Sequence, residues 1–349
     1  MRSPATFRWQ YSHLGLLVAL LIVLCHLAIM YTKTVWMQKC RPRDDRHWVN
    51  YGIHSLNQLN LPIMAQPLNW LEFEYLQTPN PLCEEDVLSL VVVIHSAVIN
   101  ADRRNFMRAS YFSNEDQKTY NMKPLFVLGK SRVSEANDLV RKEAESFGDI
   151  LQIDIDENYH NITQKARAWI SHLYENCENR IKYVLKMDDD VMMDMQGLQL
   201  LLEHYRIQKR LVLCRTFVDG VVVRNPKSKW YLSREEYPID NLGLYCQGMA
   251  YVVSGDLLKH MNNNLKRVQY LWMDDWYVTH ALLRAANAVF IDIGRHFVSV
   301  NNEKDLDRAT NGASRRFRKL FGHFRPAERY PLAERLRVWS RLKESSECY

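Results

Sequence analysis

Three consecutive carboxylates, Asp188, Asp189 and Asp190, follow directly on the apolar run Tyr183, Val184 and Leu185. A short apolar run entered from a polar turn reads as a buried strand. Three like charges side by side repel one another and cannot enter a core unpaired. At the carboxyl end of a strand they face the crevice where an open α/β sheet takes its ligand. An all-oxygen cluster there suits a hard divalent cation, Mg2+ or Mn2+, which keeps open positions for water and substrate phosphates. The alternative is a solvated acidic turn.

A second acidic pair, Asp274 and Asp275, stands in Trp272-Met273-Asp274-Asp275-Trp276-Tyr277. The helix dipole alone favours acidic residues in a first turn. The functional alternative is a general base. A carboxylate among aromatic rings can hold a sugar hydroxyl and take its proton, with the rings packed on the sugar's apolar face. Of the 12 histidines, His296 in Gly294-Arg295-His296-Phe297 and His323 in Phe321-Gly322-His323-Phe324 are the late-chain candidates for a metal ligand. Each is alternatively structural or exposed.

Positioning these groups falls to alternating strands and helices. Strands are predicted at Leu88–Ile94, Pro124–Gly129, Asp149–Ile155 and around Tyr183. Helices are predicted over Phe106–Phe112, over Glu135–Ser146 with Ser134 as cap and Gly148 as stop, and from the Asn161 cap to Asn176. The last buries Ala166, Trp169, Ile170 and Leu173 on one face. This alternation indicates parallel βαβ units in an α/β fold. The second half is more mixed. It has a helix at Leu198–Tyr205, a strand pair at Leu211–Arg215 and Gly220–Arg224 read as a hairpin, a strand at Met249–Val253 and a Ser254-capped helix to Met261. A helix from Asp274 to about Asn287, a strand at Val289–Ile293 and a partly helical basic tail at Arg315–Lys343 follow.

The 349 residues and 47% hydrophobic content suffice for one large domain with appendages. A net charge of +6 spread along the chain gives no case for nucleic acid. Leu14–Met30 carries no formal charge and, extended by Tyr31, Val35 and Trp36, has the length of a membrane span. No small-residue cleavage site closes it, which indicates an uncleaved signal anchor. The chain divides into a short tail (1–13), an anchor (14–36), a Pro-punctuated stem (37–82) and a body (83–349). Trp48, Trp70, Phe73 and Tyr75 suggest that parts of the stem pack on the body. Flanking positive charges favour a cytosolic body. A glycosylation sequon at Asn161-Ile162-Thr163 and an even set of cysteines outside the span favour a lumen. That set is Cys40, Cys83, Cys177, Cys214, Cys246 and Cys348, and Cys177 and Cys246, near the acidic motifs, are one possible disulfide.

Several pieces in order resemble a known family: Arg104 to Tyr111, Phe126 to Gly129, Phe147 to Lys165, Tyr183 to Asp190, Tyr245 to Ser254, and Asp274 to Tyr277. Together they resemble the β-1,3-galactosyltransferase and N-acetylglucosaminyltransferase family, glycosyltransferase family 31, from Leu88 to Trp339. The resemblance implies a GT-A fold, a Rossmann-like nucleotide-sugar domain with a mixed, mainly parallel sheet, in a single-pass type II Golgi membrane protein with its body in the lumen. It implies that Asp188, Asp189 and Asp190 form the motif holding Mn2+ against UDP. It places Arg104 and Arg108 near the nucleotide, with Lys165, from the Phe147 to Lys165 piece, as a further nucleotide-binding residue. It makes Asp275, with Asp274, the source of the catalytic base and His323 a further metal ligand. Departures are Ser110-Tyr111 for the usual Thr-Trp, Trp276 for a valine and Thr279 for a glycine.

The implied reaction moves a hexose, galactose first and N-acetylhexosamine next, from a UDP-sugar to a hydroxyl of a glycoprotein or glycolipid glycan. Asp275 deprotonates the acceptor and one displacement inverts the anomeric carbon, forming a β-1,3 linkage. One rival is an aspartate-rich prenyl-diphosphate synthase, which requires an all-α fold. Another is a non-catalytic glycan-binding or chaperone-like relative of the same fold.

Overall fold

The computed structural model describes residues 23–28, 30–31, 50–51, 72–83, 87–283, 286–302, 304–306, 319–325 and 330–347, with backbone alone at 50–51 and 342–347. Strands β1 (Asn50–Tyr51) and β2 (Tyr75–Gln77) arise from the expected stem and lie at the two edges of a nine-stranded sheet. The β-branched runs fill its centre as β3 (Leu88–His95), β4 (Met122–Lys130), β5 (Ile150–Asp156) and β6 (Ile181–Asp188). β7 (Val191–Met193) leaves the sheet, and β8 (Leu211–Phe217), β9 (Tyr245–Ser254) and β10 (Val289–Asp292) return to it. The order is β1-β10-β8-β9-β6-β3-β4-β5-β2. β5, β4, β3 and β6 are parallel, while β9 runs antiparallel to β6 and β8. β7 joins β11 (Phe297–Val300) and β12 (Phe321–Phe324) in a three-stranded sheet.

Helices α1 (Ala101–Ala109), α2 (Asn114–Tyr120), α3 (Ser134–Phe147) and α4 (Ile162–Cys177) cross between the parallel strands, as βαβ units require. α5 (Met195–His204), α6 (Leu258–Asn264) and α7 (Leu332–Glu347) complete the layers. This α/β layering excludes the all-α rival. Two cores form, one per sheet face. Val91, Val93, Val184 and Tyr251 pack with Trp169 of α4, while Leu90, Val92, Ile94, Leu185 and Met187 pack towards α1, α5 and the small sheet. Ala166, Trp169, Ile170 and Leu173 are all fully buried.

Several sequence expectations change. Ser134 is the first residue of α3 and not its cap, a place taken by Val133 without a side-chain hydrogen bond. Leu211–Arg215 and Gly220–Arg224 do not form a hairpin: β8 pairs with β9 and β10, and Val221 makes an isolated bridge to Asn241. Asp219 adopts φ 55°, and Arg224 braces the loop that follows by donating to the carbonyls of Leu232, Ser233, Tyr237 and Ile239. The helix from Asp274 ends at Leu282 after a π-helical turn, Tyr277–Leu282. Cys177 does not pair with Cys246. Cys177, ending α4, bonds Cys83, and Cys246 on β9 bonds Cys214 on neighbouring β8. Asn161 precedes α4 without capping it, and its amide instead donates to Asp156 O at 2.9 Å.

Cys40, Cys348, Trp48 and Trp70 lie outside the described residues. Phe73 and Tyr75 pack against the core. The described part of the expected anchor, 23–28 and 30–31, is helical and exposes Val23, Leu24, Leu27 and Met30. Among the described residues no helix is long and apolar enough to cross a membrane.

Candidate active site

The acidic triplet occupies the corner where the chain passes from the main sheet to the small one. Asp188 ends β6 and Val191 begins β7. Each carboxylate meets a different environment. Asp189 is buried and saturated: Ser96 Oγ donates at 2.7 Å, Asn100 Nδ2 at 2.8 Å and Arg103 at 2.8 Å. It pins the loop after β3. Asp190 faces the small sheet. His323 pairs in register with Val191, and Phe324 N–H donates to Asp190 O, which leaves His323 Nε2 3.4 Å from Asp190 Oδ1. Burial acts to raise the Asp190 carboxyl, but His323, then Arg103 and Arg335, outweigh it and hold it below its usual range.

Asp188 receives a hydrogen bond from Lys186 Nζ at 2.8 Å. Strand alternation puts both residues on the face that carries Val184. Lys186 also donates to Gly248 O at 2.7 Å and reaches Asp274 Oδ2 at 3.3 Å. Burial alone would lower the pKa of this lysine, but Asp188 and Asp274 override it and the ammonium is held firmly protonated. Burial pushes the Asp188 carboxyl up to about 6; Lys186 opposes the rise while Asp190 and Asp274 add to it. His95, opposite Asp188 in register, is buried with its Nδ1 3.5 Å from Asp274 Oδ2. Burial, then Lys186 and Lys165, hold that imidazole well below its usual pKa, so it is neutral.

The second motif divides its labour. Asp274 is buried against Lys186 and His95, whereas Asp275 stays partly exposed. Asp275 Oδ1 accepts the Trp276 N–H at 2.8 Å, and a Cβ at Gly248 would stand 3.0 Å from Asp275 Oδ2. Burial and the neighbouring Asp274 raise the Asp275 carboxyl to about 7. The aromatic neighbours do not serve a sugar as expected. Trp272, Trp276 and Tyr277 are 6%, 3% and 0% exposed and belong to the core.

Arg104 and Arg108 are engaged by the protein itself. Arg104 is fully buried, and its guanidinium donates to Glu143 twice, to Ser96 Oγ and to the carbonyls of Ala97 and Val98. Its five N–H groups are committed to protein. Arg108 donates to both Asp149 oxygens, to Glu143 and to Asn105. Both residues are held by protein partners, Arg104 through the loop after β3 and Arg108 through Asp149 and Glu143. The arginines at the carboxylates are Arg103 and, from α7, buried Arg335. Arg103 was masked in the sequence by its neighbour Arg104, and Arg335 by a tail read only as basic. His296 meets Arg295, so His323 is the histidine brought to the triplet.

Lys165 donates to Ser96 O at 2.8 Å and pairs with Glu157. It lines a cavity of about 670 Å3 with Ala97, Lys130, Asp156, Tyr159 and others. The sequon lies beside this cavity, and its Thr163 hydroxyl is buried, donating to Leu271 O. Among the described residues no three His, Cys, Asp or Glu side chains form a ready metal cage. Asp190 Oδ1 is nevertheless buried without a hydrogen-bond donor and faces His323 Nε2. That oxygen, with Asp188 close by, fits a divalent cation whose shell is completed by phosphate and water; His323 Nδ1 accepts from Arg325 Nε at 2.9 Å, so Nε2 carries the ring proton towards Asp190 and becomes a ligand only once the Arg325 contact is given up and the proton shifts to Nδ1.

Residues 102–292 match the family model described as galactosyltransferase. The chain belongs to this family. Within the galactosyltransferases it is a divergent member: it is 29% identical to mouse beta-1,3-galactosyltransferase 1 over 217 residues, 62% of this chain and 66% of that one. It thus spans just under two thirds of that relative's length. Human beta-1,3-galactosyltransferase 5 is 28% identical over 235 residues, covering 67% of this chain and 74% of that one. A solved structure of the galactosyltransferase LgtC with donor and acceptor sugar analogs aligns with a TM-score of 0.33 and 12% identity, over 72% of this chain and 95% of that one.

The departures from the galactosyltransferase pattern have structural work. Thr279 Oγ1 donates to Asp275 O at 2.6 Å and accepts the Cys246 N–H at 2.9 Å, fastening the acidic turn to β9. Trp276 donates to Leu242 O and stacks on His280. Tyr111 is buried and packs edge-on against Phe106.

Proposed function

We propose that this chain is an inverting, metal-dependent glycosyltransferase. It moves a hexose from a UDP-sugar to a hydroxyl of a glycan in β-1,3 linkage, with galactose the favoured donor sugar and N-acetylhexosamine the next. The observation that carries this reading is Lys186, whose ammonium touches both Asp188 and Asp274 and so joins the two acidic motifs in one site. Membership of the galactosyltransferase family supports it.

Asp190 and His323 would hold the cation, Mn2+ or Mg2+, with Asp188 beside it. When bound, it supplies Lewis-acid charge to the departing diphosphate. Arg103 and Arg335 add fixed positive charge on the same side. The cavity beside Lys165 and Tyr159 is of a size for the nucleoside. Asp275, raised to about 7, accepts the proton of the acceptor hydroxyl. The acceptor oxygen bonds to the anomeric carbon as the bond to UDP breaks, which inverts that centre. Asp274 is a positioning residue, fixed between Lys186 and His95. The chain is further proposed to be anchored by residues 14–36, with its body in the Golgi lumen, and to meet glycoprotein or glycolipid acceptors there. The buried pairs Cys83–Cys177 and Cys214–Cys246 agree with an oxidising compartment.

The test is a panel of UDP-sugars with Mn2+ and simple glycosides, run with and without a chelator. Transfer that a chelator abolishes, and that Asp275→Asn loses while still melting cooperatively and no lower than wild type, supports the reading. An Asp275→Asn protein with normal turnover removes it.

A further inference from the structure

The rings expected to carry the acceptor sugar are core residues, and a different set of rings is exposed near the base. Tyr159 and Trp230 are each 44% exposed. Tyr159 lies with its ring centroid 5.7 Å from Trp272, two residues before Asp274, and it also lines the cavity beside Lys165. Lys229 Nζ sits 5.3 Å from the Tyr159 centroid and 4.7 Å from that of Trp230. Asp275 acts electrostatically on both Tyr159 and Tyr245. Tyr245 packs on Phe217 at 5.3 Å. The geometric link to the acidic turn is Tyr159, whose ring meets Trp272 just before Asp274 and carries Lys229 and Trp230 outward from it.

We infer that Tyr159 and Trp230, with Lys229 between them, form the subsite for the acceptor's terminal pyranose. This rests on the transfer reaction proposed above. A pyranose has one face of C–H groups, which an exposed aromatic ring covers, and a rim of oxygens, which an ammonium can hydrogen-bond. The pair supplies both. Lys229 lies over the two rings, and a sugar seated there displaces a cation–π contact of modest strength. Tyr159 stands on the boundary between this subsite and the cavity proposed for the nucleoside. That placement puts the acceptor hydroxyl on the side of Asp275 and not behind the triplet. The wall is carried by the loop between β8 and β9 that Arg224 braces.

The experiment uses the full chain, UDP-galactose or UDP-N-acetylglucosamine as donor, and benzyl β-galactoside or benzyl N-acetyl-β-glucosaminide as acceptor. Trp230→Ala is expected to raise the acceptor KM about tenfold or more, with the Kd for UDP unchanged, and Trp230→Phe to return KM to within about threefold. Lys229→Met is expected to raise it by a smaller factor. An acceptor KM unmoved by Trp230→Ala, or an equal loss of UDP affinity, overturns the inference. If the wild-type chain transfers neither sugar, the proposed function fails on its own, and the subsite is then decided by binding. Saturation-transfer NMR with the same glycosides is expected to show their ring C–H protons against protein aromatics, lost in Trp230→Ala. Absence of that signal in the wild type overturns the subsite.

Discussion

Lys186 Nζ lies 3.3 Å from Asp274 Oδ2 while hydrogen-bonding Asp188 at 2.8 Å. One buried cation thus fixes the spacing between a strand end and a helix start that are far apart in sequence. Removing it leaves two carboxylates in a buried site without compensation. Lys186→Met is expected to cost about 3–5 kcal/mol. The loss should shrink at low pH, where the carboxyls take up protons. Denaturant titration at two pH values measures it, and an equal loss at both would contradict the coupling.

Asp275 titrates in the useful range. Its carboxyl is raised from 3.8 to about 7 by burial, then by Asp274, so its base form fills as pH rises through that value. Transfer is expected to fall as pH drops below about 7; a divalent cation at the triplet, being positive, would move that limb lower. Stability runs the other way. An acid with a raised folded pKa binds more protons folded than unfolded, so ionising it disfavours the fold as pH climbs from 3.8 through about 7. Asp275→Asn should therefore be more stable than wild type at pH 8, on the order of 2 kcal/mol, with the difference vanishing below the unfolded value. A pH–rate profile and paired melts check both signs.

Glu143 binds Arg104 and Arg108 together. Burial opposes its ionisation, but the two arginines win and its carboxyl lies below the usual range. The stability it contributes is present above the unfolded pKa and is lost as pH falls through the folded one. Glu143→Gln is expected to cost about 2–4 kcal/mol at neutral pH. It should also weaken UDP binding through the loosened loop at Ser96 to Val98. Thermal melts with calorimetric UDP titration would detect this, and unchanged stability would remove the brace.

Thr279 ties Asp275 O to the Cys246 N–H. Thr279→Ala leaves that buried N–H without an acceptor, at about 1–3 kcal/mol. The expected kinetic signature is a fall in kcat with the Kd for UDP preserved, because the base proposed at Asp275 moves and the donor side does not. Thr279→Ser should recover both.

Asp190→Asn and His323→Ala are each expected to raise the Mn2+ requirement for transfer at least about tenfold. Mn2+ titration of activity and of tryptophan fluorescence measures this. A requirement unchanged in both variants would move the cation elsewhere.

The parallel half of the sheet was legible because β3 and β4 carry apolar runs, β5 alternates and β6 holds the short run Tyr183 to Leu185. The helical face of Trp169 followed from its period. β7, β11 and β12 were not legible. They are three or four residues long, and their partners come from distant parts of the chain. The acidic residues announced themselves by type, but their division did not. Whether Asp189 is saturated, or Asp274 buried and Asp275 open, depends on Ser96, Asn100, Lys186 and His95, which arrive through strand register. Arg103 was overlooked for the same reason: on α1, one step of rotation separates a residue facing Asp189 from one sealed against Glu143.

The edge strands carry a practical consequence. β2 hydrogen-bonds along β5 and β1 along β10, both antiparallel, so the segment that first reads as a spacer supplies the two outermost rails of the sheet. A secreted form trimmed to begin at Cys83 would bare the backbone of β5 on one flank and β10 on the other, inviting intermolecular pairing. Solubility of a trimmed enzyme should hence depend on retaining the chain from before Asn50.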